Sequence, residues 1–126
     1  MDRRVKKLAR IVAVQERLSQ LAEMKVARLD REKAELQKGQ ESLIAALNDD
    51  TPLQGVFVDA MARRLNALAR ENDKVNQALD TATGQMLAQS MRLQRMERMT
   101  EKARREYLQD FWKRGFADLL DTLVKK

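Results

Sequence analysis

Apolar residues recur along this 126-residue chain at steps of three and four almost from end to end. Ahead of residue 48 the repeating positions are Leu8, Ile11, Gln15, Leu18, Ala22, Val26, Leu29, Lys33, Leu36, Gln40, Leu43 and Leu47. Alternating steps of three and four keep one seam of an α-helix facing a partner helix, the heptad signature of a coiled coil. The two consecutive four-residue steps at Leu18-Ala22-Val26 read as a stutter, which locally unwinds such a coil. Gly39 falls off this seam and costs about 1 kcal/mol relative to Ala.

Turn formers cluster in one place, Asn48-Asp49-Asp50-Thr51-Pro52, which holds the only proline. The same stretch opens a second helix. Thr51 suits the cap, Pro52 the first helical position, and Gln54 the return contact of a capping box. Asp49 and Asp50 place negative charge beside the positive end of that helix dipole. A helix over about 2–48, a turn at 49–51 and a helix over about 52–124 are therefore expected, as a single coiled-coil domain spanning 1–126.

The second helix carries the cleaner frame. Leu65, Asn72, Leu79, Met86, Leu93, Thr100 and Tyr107 form one row. Leu68, Val75, Ala82, Gln89, Met96 and Ala103 form the other, with Leu53, Phe57 and Met61 leading in. Asn72, Gln89 and Thr100 interrupt the stripe, and polar residues at such positions commonly fix register. Thr81-Ala82-Thr83-Gly84 is the one candidate break. Because the frame passes from Ala82 to Met86 without a phase change, a continuous helix is expected there. A break at Gly84 would instead give a three-helix bundle.

A short connection forces the two helices antiparallel. With the turn centred near 50, residue i should face about 100 − i, so everything from about 100 onward should overhang. At 1.5 Å per residue the helices would be roughly 70 Å and 110 Å long. The expected fold is thus all-α, a long antiparallel two-helix coiled-coil hairpin with a C-terminal helical overhang. Four of the five aromatics fall in that overhang: Tyr107, Phe111, Trp112 and Phe116, followed by Leu119, Leu120 and Leu123. A lone helix cannot bury such a stripe, so it folds back, forms a homodimer or meets a partner. Near the turn, Phe57 and Met61 are expected to close the hairpin core against Leu43 and Ile44.

Composition narrows the chemistry. The chain has no His and no Cys, which removes disulfide scaffolds, zinc fingers, Cys nucleophiles and His-based triads. Neither GxxxxGK[ST] nor GxGxxG occurs, and two paired helices offer no concave pocket for a substrate. Carboxylates such as Asp30, Glu32 and Glu35 fit a solvated helix face beside Arg28 and Arg31. No catalytic, cofactor-binding or metal-binding residues are assigned; a non-enzyme is expected. The longest apolar run, Leu43 to Leu47, is far short of the roughly 20 residues of a membrane span. The basic N-terminus lacks the apolar region of a signal peptide. A cytoplasmic protein, peripheral at most to a membrane, is expected.

Charge is uneven. Lys and Arg number 25 against 19 Asp and Glu, a net +6. Residues 1–10 carry +4 through Arg3, Arg4, Lys6, Lys7 and Arg10 against Asp2. Residues 92–105 carry another +4, through Arg92, Arg95, Arg98, Lys102, Arg104 and Arg105 against Glu97 and Glu101. In an antiparallel hairpin the two stretches lie side by side, so the open end holds +8 and the rest −2. A basic-region zipper is disfavoured, because the seam is intramolecular and these arginines carry no set of Asn and Gln residues among them to read bases. Nonspecific phosphate contact stays open as a third reading, with nucleic acid a disfavoured partner. Membrane-surface binding by Arg3–Arg10 is weak on the same grounds, its apolar face being only Val5 and Leu8.

Three features together resemble a known family. They are Arg4-Val5-Lys6-Lys7-Leu8, Gln15-Glu16-Arg17-Leu18 and Ala22-Glu23-Met24-Lys25-Val26-Ala27-Arg28-Leu29 on the first helix, a turn, and a longer Arg/Met-rich second helix. This arrangement is similar to FliJ and YscO, the small coiled-coil proteins of flagellar and type III secretion export. The resemblance implies a stalk like that of rotary ATPases, inserted in the export ATPase ring and contacting the membrane export gate and export chaperones. It implies that Arg3, Arg4, Lys6, Lys7, Arg95, Arg98 and Arg105 face the ATPase ring. Phe57, Met61 and Arg64, near the tip, would face the gate, which would supply the only membrane contact. The alternative is a general coiled-coil adaptor that dimerises or binds a partner helix through Tyr107, Phe111, Trp112, Phe116 and Leu120.

Overall fold

The computed structural model of the chain describes residues 3–49 and 55–125. Among them are two helices, α1 (Arg3–Leu47) and α2 (Gly55–Val124), which pack against each other as an antiparallel hairpin. α2 runs through Gly84 without interruption, so there is no three-helix bundle. A lone glycine costs a helix about 1 kcal/mol, too little to break a frame whose apolar rows continue on both sides. Nearby, the Thr81 hydroxyl donates to the Gln77 carbonyl at 3.1 Å, bonding back into its own helix rather than ending it.

α1 closes at Leu47, where the Asn48 N–H donates to the Ile44 carbonyl at 3.0 Å and the Asp49 N–H to the Ala46 carbonyl at 3.4 Å. The described part of α2 begins at Gly55, and its expected start near 52 lies outside the described residues. The proposed cap Thr51, with Asp50, Pro52, Leu53 and Gln54, lies outside the described residues.

The chain divides into two compact units. One joins Met1–Gln20 to Ala88–Lys126, and the other is Leu21–Leu87. In the first, Val5, Ser19, Gln89, Thr100 and Ala103 are buried between the helices. In the second, Leu29, Leu68 and Ala82 are. The cores are thin, as expected for two helices that touch along one seam and leave their other faces to water.

On α2 every described position of the two expected rows from Met61 to Tyr107 is buried or half-buried. On α1 the frame departs from expectation. Leu18 is 43% exposed, while Ser19 is only 8% exposed. The inward row reads Val12, Gln15, Ser19, Ala22, Val26, Leu29, Lys33, Leu36, Gln40, Leu43 and Leu47, with no stutter. Knobs and holes interlock only when both helices share one period. Because α2 has no insertion from Met61 to Tyr107, α1 turns Ser19 inward and leaves Leu18 outside.

The register is also shifted. Arg4, expected opposite about residue 96, meets Glu106; Gln15, expected opposite about 85, meets Gln89; Gly39, expected opposite about 61, lies against Leu68. Each contact falls four to ten residues further along α2. Paired numbers that sum to more than 100 place the centre of the seam at higher numbers than the expected residue 50.

Candidate functional site

Within the first unit, the start of α1 lies against α2 around Ala103–Arg114. Arg4, Ala103, Glu106, Tyr107, Asp110, Phe111 and Arg114 surround a cleft of about 340 Å³. The Arg4 guanidinium bonds the Glu106 carboxylate at 3.3 Å, and the Arg105 Nε bonds Glu101 at 3.2 Å within α2. Both pairs are solvated, so each contributes about 0–1 kcal/mol and leaves its arginine accessible. Arg3, Lys6, Lys7, Arg95 and Arg98 are exposed as well. By sequence this unit holds 16 basic and 8 acidic residues, and Leu21–Leu87 holds 9 and 11. The expected partition of +8 and −2 therefore coincides with the two units.

The shifted register redraws the overhang. Thr100 and Ala103 are buried and Tyr107 is half-buried, so these residues belong to the paired seam. The Thr100 hydroxyl donates to its own Met96 carbonyl at 2.8 Å, which satisfies it without any cross-helix bond. The unpaired stretch starts at Leu108, and every residue from there to Lys125 is exposed. Trp112 is 71% exposed and meets Phe111 edge to face at 6.2 Å; Phe116 and Leu120 are exposed beyond them.

The register lock expected from polar seam residues is Gln89. Its amide nitrogen donates to the Gln15 side-chain oxygen and to the Gln15 carbonyl, the latter at 3.3 Å. Its own oxygen accepts from Arg92 at 3.5 Å, so the whole amide is used. Asn72 does not act this way: its Oδ1, like that of Asn76, is buried with no hydrogen-bond partner.

The second unit holds the expected tip residues. Phe57 is 59% exposed and Ile44 47% exposed, so these two do not close the hairpin core. Phe57 lies ahead of the inward row, whose first described position is Met61. Met61 is half-buried. Arg64 lies on the rim of a groove of about 630 Å³ floored by Leu36, Gly39, Leu43, Leu68 and Val75. This groove escaped the sequence reading, which placed Gly39 off the seam. A methyl group at Gly39 would sit 3.5 Å from the Leu68 Cδ1, so the missing side chain opens the space.

No protein-family model matches the chain, and no curated protein or solved structure is detectably similar to it.

Proposed function

We propose that the chain is a non-enzymatic coiled-coil stalk of a flagellar or type III protein export apparatus, linking the export ATPase ring to the export gate and its chaperones. The observation that carries this reading is the segregation of charge. The unit that joins the start of α1 to the end of α2 holds a surplus of eight positive charges, while the unit that includes the turn is slightly acidic. Long-range attraction to an acidic collar speeds and orients docking without demanding a shaped pocket. Thin, weakly polar-interrupted packing suits a part that transmits position between two machines. The family resemblance of the sequence supplies the identity of those machines, with Phe57, Met61 and Arg64 as gate-facing residues and a cytoplasmic location.

Arg3, Lys7, Arg95 and Arg98 are exposed, so reversing all four to Glu leaves the seam intact. Binding of the variant to an export ATPase ring should fall at least about tenfold, as expected for rim charges whose complement is lost. Equal affinity of variant and wild type at low salt would remove the charge-docking claim.

A second reading rests on Leu108–Lys125, which no part of the hairpin covers. A general adaptor would engage a partner helix there, and its binding would survive the four reversals but not removal of this stretch.

A further inference from the structure

Beyond Tyr107 the apolar face of α2 changes sides. Up to that point the buried row is Met96, Thr100, Ala103 and Tyr107. Continuing the same steps of four and three gives Asp110, Arg114, Ala117 and Asp121, a polar row. The apolar residues that follow, Leu108, Trp112, Phe116, Leu119, Leu120 and Leu123, lie on the opposite side, about 180° around the helix at 100° per residue. Such a face is not an unfinished part of the seam. It is directed away from it.

The same outward side has a definite character before Leu108. Arg98, Lys102 and Arg105 share one row with Gln109, Trp112, Phe116, Leu119 and Leu123, at steps of four and three, and Arg95 flanks it. Glu97 and Glu101 border this row, and Arg105 holds Glu101 in an ion pair. The three acidic residues of the terminal stretch, Asp110, Asp118 and Asp121, all point to the far side. One continuous helix thus presents a cationic strip that runs directly into an aromatic and aliphatic strip, with its aspartates turned away.

We propose that this face, Arg95 to Leu123, docks on an anionic lipid bilayer. Trp112, Phe116 and Leu123 would enter the interface between headgroups and acyl chains, while Arg98, Lys102 and Arg105 meet lipid phosphates. Wide apolar arcs with aromatic residues beside clustered bases are the pattern of helices that lie in that interface. No described helix is long and apolar enough to cross a membrane, so the contact is with the surface. This contact is direct, whereas in the export reading membrane contact passes only through the gate, and it draws on Arg95, Arg98 and Arg105 of the ring-facing set.

Trp112 is the only tryptophan, so its emission reports the contact in the full chain. Vesicles of phosphatidylcholine mixed with phosphatidylglycerol should shift it to the blue and carry the protein upward on flotation. Vesicles of phosphatidylcholine alone should do neither. Neutralising Arg98, Lys102 and Arg105 to Gln should lower partitioning about a hundredfold, since each basic residue near an anionic surface strengthens binding about fivefold. Phe116→Glu with Leu120→Glu should abolish the shift while helicity, read by circular dichroism, is retained. The proposal is overturned by an absent shift with anionic vesicles, by equal binding to the neutral ones, or by full binding of the Phe116→Glu, Leu120→Glu variant. A blue shift that rises with protein concentration and is unaffected by lipid would also overturn it, in favour of a protein partner.

Discussion

Individual residues set the frame of the hairpin, and two of them separate what spacing shows from what packing decides. Leu18 and Leu29 look alike in the sequence, each on an apolar repeat. In the folded chain Leu29 is 7% exposed and Leu18 43%. Leu29→Ala should therefore cost about 2–4 kcal/mol and Leu18→Ala less than about 1 kcal/mol, measured by urea unfolding. Equal losses would mean that the stutter exists after all. Spacing could not choose between Leu18 and Ser19, because hydrophobicity favours the leucine and only the period of the facing helix favours the serine. Gln89 was legible as a polar interruption but its partner was not, since the partner depends on register. Gln89→Leu leaves the Gln15 side chain without its cross-helix donor, so it should destabilise by about 1–2 kcal/mol despite the added apolar surface. Replacing both glutamines with Leu should recover that loss. Failure of the double variant to recover it would separate the two residues energetically.

At the scale of elements, the existence, type and number of the helices were legible because heptad steps persist over many turns. The α2 frame from Met61 to Tyr107 was legible residue by residue. Its relation to α1 was not. A shift of a few residues in where the chain reverses moves every cross-helix pair, and turn propensity locates a reversal without fixing how many residues it takes. The consequence falls on the overhang. Thr100, Ala103 and Tyr107 pack in the seam, and the unpaired part starts only at Leu108. Ending the chain after Tyr107 should leave the melting temperature within a few degrees of the full protein, because only exposed residues are lost. Ending it after Thr100 removes buried Ala103, Tyr107 and the Arg4–Glu106 pair, and should lower the melting temperature clearly further. Two truncations with the same melting temperature would contradict the register. The groove over Gly39 and the apolar face of Leu108–Leu123 were out of reach for a different reason. Each depends on what a neighbouring helix fails to cover, which local periodicity does not encode.

For the molecule as a whole, charge was the most legible property and its meaning the least. A count of lysines and arginines suggests nucleic acid; folding the chain into a hairpin gathers the surplus into the unit built from Met1–Gln20 and Ala88–Lys126. The central claim is that this basic end engages an export ATPase. It is tested most directly by the rate of ATP hydrolysis by the purified ATPase ring, measured with the full chain and with the variant carrying Arg3, Lys7, Arg95 and Arg98 reversed to Glu. The account predicts that the wild-type chain raises the rate and that the reversed chain, equally helical, does not, with the wild-type effect weakening as salt is added. Hydrolysis that is indifferent to the wild-type chain at low salt, or raised equally by both, would contradict it.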